Sequence, residues 1–288
     1  MSYNRRSFLK DSALLSSGLV FTGAASLTSC NNSGPVDYGL QLYSLRDDLP
    51  KDPSGVLKQV ASFGYKQVEG YEGPMGMFWN MKNTEFKKYL DGLGMTMVSS
   101  HCDWQKDLDR KAAEAGEIGL KYLICPYLGS QDNMDAFKTF AAKFNEAGAI
   151  CKKHGLRFAY HNHAYSFKPI NGVLPQDVMI QETDPALVDF EMDMYWVVDA
   201  GVDAAAYLEK HKNRFTLCHI KDRLKVADPN AGNNSCTLGE GSINFPALLK
   251  TAKENGVKYY IVEQERYDNT TPLKSAADNA AYMKKINI

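Results

Sequence analysis

Phe215-Thr216-Leu217-Cys218-His219-Ile220-Lys221-Asp222 is the stretch that decides the reading of this chain. It starts as a short apolar run and ends in an imidazole, an amine and a carboxylate. Side chains alternate along a strand, so His219 and Lys221 share a face. Further on, a helical pattern over 245–255 stops at Gly256, a residue that takes the left-handed C-cap conformation cheaply. A second apolar run, 259–262, then ends in Glu263-Gln264-Glu265. The unit is strand, helix, strand, with the chemistry just past each strand's carboxyl end.

The same unit repeats outward in both directions. Strand patterns fall at 38–43, 65–68, 96–99, 122–125, 157–160, 187–192, 215–220 and 259–262. Helical patterns lie between them, at 84–93, 134–154, 202–211 and 245–255 among others, and Gly94 and Gly155 close two of them. Eight strands alternating with helices predict a single (β/α)₈ barrel over residues 37–288 with no second domain. Such a barrel uses about 250 residues, which fits a chain of 288 with an extension. A composition of 44% hydrophobic and 23% charged residues excludes a disordered chain. A net charge of -1 lacks the basic excess that non-specific nucleic-acid binding needs. No apolar run is long enough to span a bilayer.

The extension reads as an address. Arg5-Arg6-Ser7-Phe8-Leu9-Lys10 has the form of a twin-arginine export signal, and an apolar, small-residue stretch follows it. Leu27-Thr28-Ser29-Cys30 then resembles a lipobox. The expectation is a signal peptide over 1–29, cleavage before a lipidated Cys30, a tether over 30–36, and an exported, periplasmic or cell-envelope lipoprotein. The membrane is contacted through that lipid alone. Five cysteines remain, an odd number without a CxxC pair, which argues against a disulfide framework or a Cys-rich zinc site.

In such a barrel the carboxyl ends of the strands carry the active site. Polar residues stand there strand by strand: Glu69, His101, His161 with His163, Glu191 with Asp193, His219 with Lys221, and Glu263 with Glu265. His154 and His211 lie on helices and read as surface residues. Each position alone has an ordinary structural reading, as an ion pair or a hydrogen-bonded partner. Their shared end of one barrel points to a metal site. Mixed His, Asp and Glu donors suit Mn²⁺, Zn²⁺, Co²⁺ or Fe²⁺ better than Mg²⁺, so one divalent ion is the expected cofactor.

These motifs carry a resemblance. Gly39-Leu40-Gln41-Leu42-Tyr43-Ser44-Leu45-Arg46, His161-Asn162-His163, Asp193 before Tyr195-Trp196, His219-Ile220-Lys221-Asp222, Leu238-Gly239-Glu240-Gly241 and Val262-Glu263-Gln264 resemble the sugar isomerase/epimerase superfamily of xylose-isomerase-like barrels. That superfamily also includes endonuclease IV. The resemblance implies metal ligands on strands five to eight, and these fall on His161, Asp193, His219 and Glu263. The family's strand-five residue is Glu, so His161 departs from the pattern. It either binds the ion in place of Glu or acts as a base, and it puts a two-glutamate epimerase mechanism in doubt. The endonuclease pattern is not met: Trp196 stands where a His would follow Asp193, and residues 225–235 contain no His.

The remaining residues take provisional roles. His163, Lys221 and Glu265 are candidate catalytic groups, with Lys221 contacting a substrate oxygen or forming an ion pair with Asp193, Glu191 or Glu265. Glu69, His101, Trp104 and Trp196 are candidate substrate contacts, and Tyr43 and Tyr267 stand near the same rim. The Gly239–Gly241 turn reads as a positioned active-site loop, weak as a phosphate cradle. The expected function is metal-dependent isomerisation or epimerisation of a free sugar or keto-sugar through an enediolate. The alternatives are a 3-keto-glycoside lyase or hydratase, or a non-catalytic sugar-binding lipoprotein. The expected partner is a small carbohydrate and not a nucleic acid; self-association is left open.

Overall fold

The computed structural model describes residues 37–287. The expected signal peptide and tether lie outside the described residues. Eight parallel strands close a barrel: β1 (Tyr38–Gln41), β2 (Gln67–Tyr71), β3 (Thr96–His101), β4 (Tyr122–Cys125), β5 (Arg157–His161), β6 (Val188–Asp193), β7 (Phe215–Ile220) and β8 (Tyr259–Val262). Each lies beside its sequence neighbour, and β1 closes on β8 with Gly39 opposite Ile261 and Leu40 opposite Val262. The helices are α1 (Pro53–Phe63), α2 (Asn83–Gly92), α3 (Leu108–Glu117), α4 (Met134–Lys153), α5 (Pro175–Glu182), α6 (Met194–Asp199), α7 (Ala204–Lys210), α8 (Phe245–Glu254) and α9 (Pro272–Met283). Helix α1 shows how the boundaries are set. Asp52 caps its first turn by accepting from the Gly55 amide at 2.9 Å, Pro53 opens it, and Gly64 ends it at φ +105°.

The expected barrel is the observed one, with shifts at strand ends. β3, β5 and β6 run one or two residues further than their apolar patterns, to His101, His161 and Asp193. A ladder pairs backbone groups and is indifferent to a polar side chain that finds partners inside the barrel. β1 stops early, at Gln41, because the Gln41 side chain accepts from the Tyr43 amide at 3.0 Å and starts a 3₁₀ turn over Leu42–Leu45. The region expected as a helix from 202 starts at Ala204, where Asp203 caps two amides.

Most of the core lies between the barrel and its helices. Inside the barrel the apolar cluster is small: Tyr122, Ile124, Ala159 and Leu217. The inward positions above it are polar, which puts carboxylates and imidazoles at fully buried sites. Buried charges are tolerated only when paired or when they hold an ion.

Candidate active site

The four residues that the resemblance marked as ligands meet. His161, Asp193, His219 and Glu263 each bring a ligand atom to one group within 4.8 Å, and all four are buried. His161 Nε2 lies 3.2 Å from His219 Nδ1 and 3.4 Å from Asp193 Oδ2. His219 Nδ1 lies 3.2 Å from Glu263 Oε2.

The second nitrogen of each ring decides what these contacts mean. His161 Nδ1 lies 3.2 Å from the Pro126 carbonyl, which can only accept. The proton of the neutral ring is therefore assigned to Nδ1, leaving Nε2 bare. His219 Nε2 lies 2.7 Å from Glu69 Oε1, a carboxylate, so its proton is assigned to Nε2 and Nδ1 faces the group. With both rings neutral, two lone pairs confront each other at 3.2 Å, and Asp193 Oδ2 is buried without a hydrogen-bond donor. Two bare imidazole nitrogens and two carboxylate oxygens converging at tetrahedral-edge separations form a donor set that fits a divalent transition ion.

Burial and charge agree. Burial pushes His161 down to about 4, against the pull of Asp193, and keeps its ring neutral. Asp193 and Glu263 resist their own burial: the Lys221 ammonium holds both carboxylates well below their usual range, with His161 and His219 adding to the effect. Without an ion, the surrounding carboxylates, Glu191 and Glu263 first, raise His219 well above its usual value against its burial. An ion at Nδ1 must displace that extra proton.

Beneath this group lies a second one. Glu69, His101, Glu191 and His219 also meet within 4.8 Å. Glu69 is 0% exposed and accepts from Gln41 Nε2 at 2.7 Å and Ser99 Oγ at 2.5 Å as well as from His219. His101 Nε2 sits 2.9 Å from Glu191 Oε2. Glu191 is pushed up to about 7, by burial and then by Glu69. His101 is raised to about 9, because Glu69 and Glu191 overcome its burial.

The other expected site residues divide. A cavity of about 590 Å³ opens over the group, and His101, Trp104, His161, His163, Glu263 and Glu265 line it. Glu69 lies under the cavity floor, its oxygens already taken, which counts against its expected substrate contact. Lys221 is also fully buried. Its Nζ lies 3.2 Å from Glu263 Oε2 and 3.6 Å from Asp193 Oδ2, bonds Glu265, and sits 5.1 Å from the ring centres of Tyr195 and Trp196. Of the two roles foreseen for Lys221, the ion pair is the one the contacts display, and Glu191 is not part of it. Trp196 packs over Lys221 and beside His163, at 5.3 Å between rings. His163 has a buried Nδ1 without a partner, and burial pushes its ring down to about 2.

The Gly239–Gly241 turn is held in position: the Gly239 and Gly241 amides donate to Asp222 Oδ2, at 2.9 and 3.0 Å. Two expectations need correction. Tyr267 ties loops together, donating to the Ser44 carbonyl at 2.5 Å and to the Gln264 carbonyl. His154 and His211 are half-buried and held by Asp109 and Asp177, at 3.0 and 2.9 Å. Gln41, Ser99, Tyr127 and Asp222 were not singled out as functional. Period two from His101 would have placed Ser99 inside, and Gln41 ends strand β1, but Tyr127 and Asp222 depend on loops that only the folded chain brings together.

The fold and this donor set define a class. The family model for the xylose isomerase-like TIM barrel matches residues 57–286, and the chain belongs to that family. It is similar to the inosose dehydratase of Clostridium perfringens, 26% identical over 167 residues, an alignment of 53% of this chain and only 56% of that enzyme. The inosose dehydratase of Lactiplantibacillus plantarum is 25% identical over 263 residues, 78% of this chain and 85% of that enzyme. A solved sugar phosphate isomerase/epimerase from Parabacteroides distasonis is 30% identical, with a TM-score of 0.72 over 85% of this chain and 96% of that one.

Proposed function

We propose that this protein is a metal-dependent enzyme that removes a proton from the carbon next to a carbonyl in a sugar or cyclic polyol. The observation that carries the reading is the convergence of His161 Nε2 and His219 Nδ1 with the Asp193 and Glu263 carboxylates under an open cavity. The residues that would hold the ion are those four, with Mn²⁺, Zn²⁺, Co²⁺ or Fe²⁺ favoured over Mg²⁺ by the two imidazoles. When bound, the ion supplies the positive charge that polarises a carbonyl oxygen.

The chain's own residues do the rest. Glu265 lines the cavity and is held by Lys221 and by Asn233 Nδ2 at 3.2 Å, so its carboxylate is placed to take the carbon-bound proton. The electron pair of the broken C–H bond forms a carbon–carbon double bond while the carbonyl π pair moves onto the oxygen. Lys221 stays beneath, fixing Glu263 and Glu265. The neutral His163 ring lines the cavity and offers the substrate one hydrogen-bonding edge, with Trp196 packed against it. Of the outcomes open to such an enolate, β-elimination of water is preferred. Glu265 can return its proton to the departing β-oxygen, and the named dehydratases support this choice. A His rather than a Glu on β5 also removes the second glutamate that an epimerase would use from the opposite face.

The test uses keto-sugars and an inosose in deuterated buffer. Wild-type protein is expected to place deuterium beside the carbonyl and release a product lighter by one water. Glu265→Gln is expected to lose exchange and keep its metal, whereas Asp193→Ala is expected to lose both. Full metal retention by Asp193→Ala, or wild-type exchange by Glu265→Gln, would overturn the assignment. A protein that holds metal and sugar but exchanges nothing is a binding lipoprotein instead. Export with a lipid on Cys30 belongs to the same proposal, and the intact mass of membrane-extracted protein tests it: a chain retaining residues 1–29 rules it out.

A further inference from the structure

The cavity has two unlike halves. Next to β5 and β8 it carries His161, His163, Glu263 and Glu265; the loops after β1 to β4, with α4, supply Tyr43, Tyr71, Trp104, Tyr127, Leu128 and Phe140. Two carboxylates on that second half are partly engaged by the protein. Glu72 accepts from Lys111 Nζ at 2.6 Å and from the Asp103 amide at 2.9 Å, and Asp103 Oδ1 accepts from the Gln105 amide at 3.2 Å. Much of what it offers the open space is ring and aliphatic carbon.

The rings are held in place. Trp104 makes edge contacts with Phe140 and Phe144, at 6.5 and 5.1 Å between centres, and Tyr71 is wedged between Tyr43 and Trp79 at 5.2 Å from each. Tyr127 meets the His163 ring edge-on at 5.0 Å, which places it at the border of the two halves. Tyr43 and Tyr127 are 40% and 61% exposed, two of the four large hydrophobic residues so exposed among the described residues. Apolar rings left open at a cavity mouth mark a surface with a ligand to cover it.

Size points the same way. A hexose has about twelve non-hydrogen atoms, bonded at about 1.5 Å, and for each of them takes well under the roughly 30 Å³ that a free water molecule has in the liquid. The cavity holds about 590 Å³. The difference is room for another ring.

We infer that the aromatic half is a second subsite, which takes a planar apolar group attached to the sugar. The substrate class is then a glycoside with an aromatic aglycone rather than a free monosaccharide. This deepens the reading of the preceding subsection and rests on it only for the sugar end. A second sugar would also stack on these rings, and a two-sugar probe in the test separates it from an aromatic group.

Binding of phenyl and methyl β-D-glucopyranosides and their 3-keto forms, with cellobiose as the two-sugar probe, tests this by calorimetry on the metal-loaded full chain. The phenyl glycosides are expected to bind about tenfold tighter than the methyl ones, as one aromatic stack provides. Tyr127→Ala, at an exposed position, is expected to cut that preference several-fold. Trp104→Ala is expected to do the same, provided its unfolding midpoint shows that it folds. Equal affinity for phenyl and methyl forms, or tighter binding of cellobiose than of the phenyl glycoside, overturns the inference. So does a preference that Tyr127→Ala and a folded Trp104→Ala both leave intact. Metal content measured on the same samples separates the two readings. An ion retained without phenyl preference sinks the subsite alone, whereas phenyl preference without an ion sinks the proposed function and leaves the subsite standing.

Discussion

His219 is the residue on which both buried groups turn. One ring nitrogen faces His161, Asp193 and Glu263, and the other faces Glu69. A carboxylate behind a metal-binding imidazole fixes its tautomer and ring angle and raises its basicity. Glu69 is itself pinned by Gln41 and Ser99, so it would act on a bound ion only through His219. Glu69→Gln is therefore expected to weaken metal affinity about 10- to 100-fold. A chelator competition would measure this, and the visible spectrum of the cobalt-loaded protein should shift with it. An unchanged affinity and spectrum would reduce Glu69 to a structural partner. The type of this residue and its strand were legible in the sequence. Its role was not, because the sequence does not say which of two inward acids lies deeper in the barrel.

At the scale of elements, the strand–loop junction after β7 shows what a single side chain can hold. Asp222 is fully buried and accepts from the amides of Arg223, Gly239, Gly241 and Ile243, at 2.8 to 3.2 Å. A Cβ on Gly241 would come within 2.2 Å of the Asp222 carboxylate, so that position has no space for a side chain. The loop is thus fastened to the strand end that carries His219 and Lys221. Asp222→Ala removes charge-assisted bonds and leaves several amides to water, at a cost on the order of 3 kcal/mol. Urea unfolding should show the loss as a lowered midpoint with an unchanged slope. A midpoint shift below about 0.5 kcal/mol equivalent would mean that the loop is held otherwise. The glycines suggested a tight turn; that its amides are spent on an aspartate seventeen residues earlier is long-range information.

For the whole molecule, the barrel explains the cysteines. Cys102, Cys125, Cys151, Cys218 and Cys236 are all buried and unpaired. Burial pushes every one of their thiols up, Cys151 and Cys236 to about 12. Thiols without a thiolate fraction and without access do not react. The native protein is expected to leave all five unmodified by an alkylating reagent at neutral pH, and the unfolded protein to lose all five, as peptide mass mapping would show. Labelling of any of the five in the native state at the rate of a free thiol would contradict the packing described. Export into an oxidising compartment is compatible with this arrangement, since buried thiols on separate elements have no partner to oxidise with.

The sequence by itself determined the period: apolar runs alternating with helical patterns, glycines at helix ends, and polar residues at the end of each strand. Those are local properties, written in neighbours along the chain, and they were sufficient for the barrel and for the ring of polar strand ends, whereas the choice of His161, Asp193, His219 and Glu263 among them came from the family resemblance. Strand ends shifted by a residue or two, because hydrogen-bonded ladders do not stop where hydrophobicity stops. Only the tertiary structure decided depth and facing. It put Glu69 under the floor and Glu265 in the wall, paired Lys221 with carboxylates, turned His161 Nε2 and His219 Nδ1 toward each other, and gathered rings from a strand, a helix and several loops into one half of a cavity. Burial, tautomer and cavity shape depend on contacts between residues far apart in the chain, and a periodic pattern carries no record of them.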